Sequence, residues 1–580
     1  GNRAQPGKMM NNKPRATRQG QKSMGVGSTF HSAATTLLSS GRLLAILVLL
    51  SGYPIFSNGF VVTTRWTVVG NRAQPVFSSA TVDHTGNSNN NNNNNNIDDL
   101  PLPPMKNGFL QRFRDLFHYL KDPDAVIRQR FAELGPIFRF YAFFTPVVVV
   151  GGQELVSEFT SDVEYRASVV YAQVPDSFVE LHTKWGNLNL DIYDPIFVSS
   201  RQMFSEVLSS AEAKDSHIKA IEPEVDAYIE ELARRVQQDP DQEFCLAPEL
   251  KSLCLQTFAK IFTGQGLTTE QEQSYLDYNA ALLALSRNSD LYRKGAAALE
   301  TLKADHLSRF HEMDQYRGQL DDDKPGQFYH SKISGRPGWE DEDRIATGMV
   351  LMIWASYVEV SGLMMDSLAL MAQYGKTEDD GDDDDVIRKR VLQEFEERKA
   401  ENVSQNDFKF WSSLPYTIGV LRETLRLEPP GSSVPRYGNE DFALGGYRIP
   451  AKMAVQLDPR YGNNDPDLFV EPTKFEPLRW VKEKEVKDAS ASKCPFTGTA
   501  TKLGKGAWFP ASYGAHQCPG LALAELTSAM FIAKMAERFE WKFSGSGLKK
   551  DGKSIDYVTL PIRMPPDDFG LKFKVIPRQE

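Results

Sequence analysis

A cysteine on a tight loop is the residue of this 580-residue chain best suited to chemistry. Cys518 stands in Gly514-Ala-His-Gln-Cys518-Pro-Gly520, and a helical run begins at Leu521. Proline and glycines on both sides predict a preformed loop at a helix N-terminus, where backbone N–H groups donate to a thiolate and lower its pKa. Such a thiolate ligates a metal or acts as a nucleophile. An inert buried cysteine is the alternative interpretation.

Charged residues upstream form two further motifs. Glu423-Thr-Leu-Arg426 places a carboxylate and a guanidinium three residues apart, on one face of a predicted helix. Phe475-Glu-Pro-Leu-Arg479-Trp480 follows further along the chain. Because a lone Glu-x-x-Arg occurs by chance in almost every long chain, its specificity depends on its order and spacing with the other motifs.

In this order and approximate spacing, the three motifs resemble those of the cytochrome P450 family, the haem-thiolate enzymes. The pairs match Glu-x-x-Arg and Phe-x-Pro-x-Arg-Trp, and the cysteine loop matches Gly-x-His-x-Cys-x-Gly. The resemblance implies a mainly α-helical fold with small β-sheets (α+β), with the haem between a long central distal helix and the cysteine loop. It covers residues 100–580, although 220–340 matches only in helical texture.

The resemblance also implies roles for single residues. Cys518 would be the axial thiolate ligand of haem b (iron protoporphyrin IX), donating electron density that favours O–O cleavage. Glu423, Arg426 and Arg479 would form a structural charge cluster behind the haem that fixes the cysteine loop.

Three basic residues are candidates for the haem propionates. Arg201 stands in Phe197-x-x-x-Arg201, which resembles the family's Trp-x-x-x-Arg haem contact. Arg436 and His516 complete the set, and a guanidinium is the better suited group for pairing with a carboxylate. An ordinary surface charge is the alternative for each of the three.

The surroundings of the ligand depart from the family pattern. Ala511 occupies the position seven residues before the cysteine, where the family usually has Phe, and Trp508 and Phe509 are predicted to fill the same space. Pro519 replaces a small or branched apolar residue, and 481–505 looks like an insertion. These departures change the surroundings of the thiolate and not its identity.

The predicted distal helix, over 345–371, carries an unusual acid. Its apolar stretch before Asp366 contains one charge, Glu359. Family members usually have Ala/Gly-Gly-x-Asp/Glu-Thr here, whose acid and hydroxyl relay protons to bound oxygen. This chain reads Ala355-Ser-Tyr-Val-Glu359-Val-Ser361, so alignment on Ala355 puts Glu359 at the threonine position, and alignment on Glu359 leaves Ser361 one residue late.

A carboxylate in so apolar a stretch is costly unless it is used or paired. Glu359 and Ser361 are therefore the predicted catalytic residues. A structural ion pair between Glu359 and a basic neighbour is the alternative. A transmembrane interpretation of this helix is weaker, because the implied fold places the helix at the centre of the domain.

Composition bounds the class of protein. Hydrophobic residues at 41% and aromatic residues at 11% suffice for a packed core, which excludes a chain disordered throughout. Sixty-six basic and 76 acidic residues give a net charge of −10, so nucleic acid is not an expected partner of the whole molecule. Four scattered cysteines exclude a disulfide framework or a zinc ribbon.

Periodicity predicts the elements that position these motifs. Segments 137–141 and 147–150 are expected to pair as a hairpin, and 442–450 reads as strand, glycine turn and strand. Amphipathic stretches predict helices in the ranges 220–315, 340–374, 386–430 and 519–540. The expected architecture is a large helical domain with small sheets at one side.

The N-terminal segment differs from the rest. Residues 1–82 contain nine basic and no acidic residues, which is typical of a targeting segment. The apolar run Leu43–Leu50 is shorter than the ~20 residues of a spanning helix, so a signal-peptide core, an organelle address and a short membrane anchor all remain open. Asn89–Asn96 reads as a linker. We expect a targeting or anchor segment over 1–99 and a catalytic domain over 100–580.

The functional prediction is a haem-thiolate monooxygenase that inserts one oxygen atom from O₂ into a lipophilic small molecule. It would receive electrons from NADPH through a reductase and associate with a membrane, in the endoplasmic reticulum or an organelle such as the plastid. Because the usual acid and alcohol are absent, an isomerase, dehydratase or peroxygenase acting on lipid hydroperoxides without a reductase is the alternative. A haem-binding protein with degraded distal chemistry is a third possibility.

Overall fold

The computed structural model describes residues 97–577, with gaps at 107–113, 115–117, 120–121, 143–144, 164–169, 172–179, 182–190, 283, 285, 317–320, 322–323, 376–384, 431–434, 487–492 and 546–570. The predicted targeting segment, its apolar run and the asparagine linker lie outside the described residues, except for a short 3₁₀ turn at Ile97–Asp99.

Helices dominate the described chain. Their bounds are α1 Pro123–Leu134, α2 Gln153–Glu158, α3 Pro195–Ser209, α4 Ala211–Gln238, α5 Leu246–Thr263, α6 Thr269–Ala281, α7 Asp290–Asp314, α8 Gln327–Ile333, α9 Glu342–Tyr374, α10 Val386–Ala400, α11 Phe408–Trp411, α12 Pro415–Leu427, α13 Arg460–Asn463 and α14 Leu521–Arg538. Short 3₁₀ turns lie at Pro477–Trp480, Glu483–Glu485, Thr499–Lys502 and Gly514–His516.

Several helices begin where the local sequence supplies an acceptor for their first N–H groups. Asp194 precedes α3 and accepts from Ile196 N, with Pro195 at the first helical position. Asp341 in the same way accepts from the first turn of α9. The N-terminus of α12 is capped from another helix, because the Glu394 carboxylate on α10 accepts from the first N–H groups of α12.

The strands of the described residues form three small sheets. Their bounds are β1 Ile137–Ala142, β2 Thr145–Val150, β3 Val170–Tyr171, β4 Glu243–Cys245, β5 Arg436–Tyr437, β6 Phe442–Leu444, β7 Tyr447–Ile449, β8 Ala454–Leu457, β9 Phe539–Gly545 and β10 Leu571–Pro577. The order is β1-β2-β8-β5-β3 in the first sheet and β4-β10-β9 in the second, and β6 pairs with β7. The two predicted strand pairs are confirmed, with β1 antiparallel to β2 and β6 antiparallel to β7.

Two glycines allow the tight β6–β7 turn. Gly445 and Gly446 have φ values of 59° and 77°, which a residue with a side chain adopts only at a cost. The proline segment before the domain bonds to the same region. Pro101 O accepts from Arg448 N on β7, and Pro104 O accepts from Arg139 N on β1.

The long helix α9 lies at the centre of the core. It packs against α5, α7, α12 and α14, and its apolar side chains belong to the largest hydrophobic cluster. Within the described ranges it is the one helix long and apolar enough to cross a membrane, but its apolar window is 83% buried in the protein. This burial favours a core helix, as the sequence predicted. The mainly α-helical architecture with small sheets is confirmed.

Candidate active site

The loop around Cys518 is closed by its own backbone. Gly514–His516 form a 3₁₀ turn, and Cys518 N donates to Ala511 O at 2.8 Å. Gly520 N lies 3.3 Å from the Cys518 sulfur and donates to it, immediately before α14 begins at Leu521. The preformed loop at a helix N-terminus is therefore present.

The pKa of the Cys518 thiol is raised above its ordinary value, chiefly because the surrounding protein desolvates it. The backbone N–H groups of Gly520 and Leu521 and the charge of Arg201 act to lower this pKa, and the charge of Glu359 acts to raise it. The backbone donors lower this pKa as predicted, but desolvation outweighs them, so the net shift is upward. The donors that would stabilise a thiolate are nevertheless in place.

Two predicted propionate residues reach this loop. Arg201, on α3, donates through Nη2 to Gln517 O. Arg436, on β5, is fully buried and donates to Tyr513 O at 3.2 Å and to Ser512 Oγ at 2.9 Å. Two guanidinium groups from distant parts of the chain therefore converge on residues 512–517.

The third predicted propionate residue lies on the loop itself. His516 ends the 3₁₀ turn, and its ring makes an edge contact with Phe197 at 5.3 Å between centroids. Because α3 carries both Phe197 and Arg201 on consecutive turns, it brings the whole predicted haem-contact motif to the cysteine loop. Binding of the propionates by these residues stays a prediction.

The Glu423 carboxylate is the centre of the predicted charge cluster. It accepts from Arg426 Nε at 2.8 Å and Nη2 at 2.6 Å, and from Arg479 Nε at 3.1 Å. Trp480 Nε1 and the backbone N of Glu476 donate to it at 2.9 and 3.0 Å. The side chains of the three charged residues are 0% exposed. One carboxylate therefore holds two buried guanidinium groups.

The other N–H groups of both arginines donate to backbone carbonyls. Arg426 donates to the carbonyls of Asn463, Pro472 and Lys474. Arg479 donates to those of Val470 and Glu471. Such satisfaction is what a buried ionic group requires. The sequence predicted the three charges, but it did not assign the indole of Trp480 or these carbonyls to the cluster.

An aromatic contact joins the charge cluster to the cysteine loop. The ring of Trp480 lies 4.5 Å from that of Trp508, ten residues before Cys518. Phe509 instead packs in the hydrophobic cluster of the first sheet. Part of the predicted insertion covers the cluster, because the Phe496 ring lies 4.7 Å from the Arg479 guanidinium.

One narrow face of α9 is accessible. Between residues 345 and 371, every residue is buried except Ala355, Ser356 and Glu359. At about 100° per residue, these three positions lie within roughly 100° of one another on the helix. The remaining faces pack in the core, so this strip marks an open space beside the helix.

The Glu359 carboxyl acts on the Cys518 thiol. Burial raises the pKa of Glu359 to about 7, and no described residue forms an ion pair or hydrogen bond with its side chain. Its charge acts on the pKa of Cys518, which is itself exposed. The Glu359 carboxyl and the Cys518 thiol both border open space, and they are close enough for the charge of Glu359 to act on the thiol. The alternative of a structural ion pair for Glu359 finds no partner in the described part of the chain.

Ser361 lies away from the accessible face. It is buried, and its Oγ lies 3.3 Å from Val358 O and donates to it. Two residues beyond Glu359, it is rotated by about 200° from that residue around the helix. The structure therefore does not bring these two predicted catalytic residues together. Ser356 is the hydroxyl that shares the accessible face with Glu359. Its spacing of three residues from Glu359 is the sequence signal that identifies it.

Comparison with known proteins places this site in a family. A family model described as cytochrome P450 matches residues 382–565, which include both charge motifs and the cysteine loop. The chain is 22% identical to putative cytochrome P450 120 of a Synechocystis species, over 82% of this chain and 97% of that protein. The solved structure of retinoic acid-bound cyanobacterial CYP120A1 superposes with a TM-score of 0.64 at 20% identity, covering 83% of this chain and 100% of the other.

Two further relatives are similar to this chain. The mitochondrial cholesterol side-chain cleavage enzyme of Mesocricetus auratus is 23% identical, over 84% of this chain and 92% of that enzyme. Cyclooctat-9-en-7-ol 5-monooxygenase of Streptomyces melanosporofaciens is 31% identical over 26% of this chain and 30% of that enzyme. The family model, the relatives and the solved structure together support a cytochrome P450. The family supports a haem-thiolate monooxygenase in general.

The residues of this P450 fit a haem. Cys518 is an exposed residue, and protein atoms nevertheless desolvate its sulfur. Both features are expected of a thiol at the base of an interior space. Two arginines and a histidine meet at the adjacent loop and could balance two propionates. Within the described ranges, no cluster of His, Cys, Asp or Glu offers a site for a separate metal ion.

The raised pKa of Glu359 predicts how the stability of this P450 depends on pH. Because the folded-state pKa of about 7 exceeds the ordinary value of 4.5, the contribution of this group to stability is fully present below 4.5 and is lost as the pH rises through 7. Glu359→Gln removes this titration. We expect the melting temperature of the variant to rise relative to wild type between about pH 5 and about pH 8. A difference that is constant with pH would contradict the assigned pKa.

Proposed function

We propose that this P450 uses O₂, and electrons from NADPH delivered by a reductase, to insert one oxygen atom into a lipophilic small molecule. The observation that carries the proposal is the Glu359 carboxyl. It lies on the accessible strip of the buried helix α9, within electrostatic range of Cys518. An oxygen-activating enzyme requires a proton donor on the side of the site that this helix faces.

The proposed substrate class draws on the similar proteins. Their names refer to cholesterol, to cyclooctat-9-en-7-ol and to retinoic acid. All three are largely hydrocarbon molecules. The apolar surroundings of the accessible strip on α9 suit a molecule of the same kind.

We assign the binding residues as follows. Cys518 holds the haem iron through its thiolate, and Arg201, Arg436 and His516 bind the propionates. Glu423, Arg426 and Arg479 hold the polypeptide behind the cysteine loop and touch no substrate. When bound, the haem supplies the activation of oxygen.

The Glu359 side chain performs the proton transfer in this proposal. With a pKa of about 7, its carboxyl is protonated in about half of the molecules near neutral pH, so that it can give a proton and regain one from solvent. Because the other faces of α9 pack in the core, exchange of this proton with solvent takes place on the accessible strip.

Two assays on purified protein test the function. Product formation that consumes NADPH and needs a reductase would support the monooxygenase. Turnover of a lipid hydroperoxide without any reductant would instead support the isomerase, dehydratase or peroxygenase. A panel of sterols, fatty acids, carotenoids and lipid hydroperoxides, screened for shifts of the haem spectrum, would identify the substrate class.

The Glu359→Gln variant tests the proton transfer. The two side chains have similar volumes, so haem and substrate binding should persist. Reducing equivalents should leak to hydrogen peroxide, and product per NADPH should fall by about 10²-fold, the lower end of the usual effect of a positioned acid. Peroxide-driven turnover should change little. Unaltered coupling would assign Glu359 to structure.

We also propose that residues 1–99 target or anchor the protein and that 100–580 form the catalytic domain. The acid-free, basic sequence of residues 1–82, with its short apolar run, supports a membrane or organelle location, such as the endoplasmic reticulum or the plastid. Comparison of the full chain with a variant lacking residues 1–99 in a membrane fractionation assay tests this. Equal recovery in the soluble fraction would contradict the proposal.

A further inference from the structure

A serine shares the accessible face of α9 with Glu359. Ser356 precedes Glu359 by three residues, so the two side chains are separated by about 60° around the helix and by less than one turn along it. Residues at this spacing have Cβ atoms roughly 5–6 Å apart, within reach of a hydrogen bond between a hydroxyl and a carboxylate. Only Ala355 joins these two on the accessible strip.

The bonding of the serines in α9 separates Ser356 from the others. Ser361 Oγ donates to Val358 O, and Ser367 Oγ donates to Thr424 Oγ1 at 3.1 Å, so both are used within the core. Within the described ranges, neither the Ser356 hydroxyl nor the Glu359 carboxyl forms a hydrogen bond, either with each other or with another protein group. The Ser356 hydroxyl and the Glu359 carboxyl, on the accessible strip of an otherwise apolar helix, are therefore available to each other and to water.

The family motif does not point to Ser356 and Glu359 as a pair. Alignment of Ala355 with the first residue of the family motif puts Ser356 at its glycine and Glu359 at its threonine. The usual acid position then holds Val358, which is buried. The chain therefore carries a hydroxyl where the family has none and a carboxyl where the family has the hydroxyl.

We propose that Ser356 and Glu359 act together as an alcohol and acid pair in the reverse of the usual order along the chain. This inference rests on the proposed function and deepens it. The Ser356 hydroxyl passes its proton toward the distal side of the haem while its oxygen accepts the proton of the Glu359 carboxyl. The hydroxyl is unchanged after the transfer, and the Glu359 carboxylate regains a proton from water.

Four variants of the full-length holoenzyme test the pair. Ser356→Ala removes the hydroxyl and keeps the best helix former at that position, so the fold should persist. Ser356→Thr restores a hydroxyl, Glu359→Gln removes the acid, and Ser361→Ala tests the competing serine. The first readout is the C–O stretching frequency of the reduced carbonyl complex, which responds to hydrogen-bond donors beside the ligand. The second is hydrogen peroxide released per NADPH.

We expect Ser356→Ala to shift the C–O stretching frequency and to lower product per NADPH by about 10-fold. This loss is smaller than the usual ~10²-fold because water can replace part of the role of a hydroxyl. Ser356→Thr should restore both values. Effects confined to Glu359→Gln, or an effect of Ser361→Ala without one of Ser356→Ala, would overturn the pair and leave the proposed function intact. Wild-type values in both Ser356→Ala and Glu359→Gln would overturn the pair together with the role proposed for Glu359.

Discussion

Cys518→Ser should abolish the thiolate-type absorption of the reduced carbonyl complex completely. The sulfur that accepts from Gly520 N at 3.3 Å stands on the loop where Arg201, Arg436 and His516 meet. A serine oxygen can form the same backbone hydrogen bond, but it cannot supply the electron density of a thiolate to the iron. The absorption spectrum of the reduced protein under carbon monoxide measures the effect directly.

Cys494→Ser is the matched control. Cys494 is half-buried in the predicted insertion and packs at the margin of the main core. Its replacement should leave the spectrum of the carbonyl complex intact. The reverse pair of results would transfer the ligand role from Cys518 to Cys494.

Glu423→Ala or Arg426→Ala should prevent stable incorporation of haem. Removal of Glu423 leaves two fully buried guanidinium groups without their shared carboxylate, and removal of Arg426 leaves three backbone carbonyls without their donor. Breaking a buried pair costs about 3–5 kcal/mol, which is comparable with much of the stability of a domain. Haem content per protein and the midpoint of urea unfolding are the measurements.

The chain contains an exposed Glu-x-x-Arg for comparison. Glu231 and Arg234 on α4 are linked at 2.6 Å, the same separation as Glu423 and Arg426, but their side chains are 51% and 53% exposed. Because water screens an exposed pair, Arg234→Ala should leave haem content and the unfolding midpoint unchanged. A haem-replete Glu423→Ala protein that is merely slow would contradict the structural role of the cluster.

Local chemistry is what the sequence determined. The loop around Cys518, the charges of Glu423, Arg426 and Arg479, and the hairpin of β1 and β2 follow from residue types at fixed spacing. Such patterns depend on neighbours within a few residues, or on motifs whose order persists in a family. The mainly helical fold with small sheets was predictable for the same reason.

The tertiary structure decided which groups meet. Trp480 donates to Glu423 because the 3₁₀ turn at Pro477–Trp480 packs on α12, and no local pattern encodes that contact. The net pKa of Cys518 is raised because distant segments desolvate its sulfur, whereas the sequence shows only the backbone donors of a helix N-terminus, which act to lower that pKa.

The distal helix shows the same division. From the sequence, Ser361 was the predicted hydroxyl, because alignment on Glu359 places it one residue beyond the position of the family's alcohol. Only the packing of α9 revealed that Ala355, Ser356 and Glu359 form its one accessible strip, while Ser361 faces the core. A helix that is apolar on nearly every side has no amphipathic pattern from which its open face could be read, so that face is set by what the neighbouring helices leave uncovered.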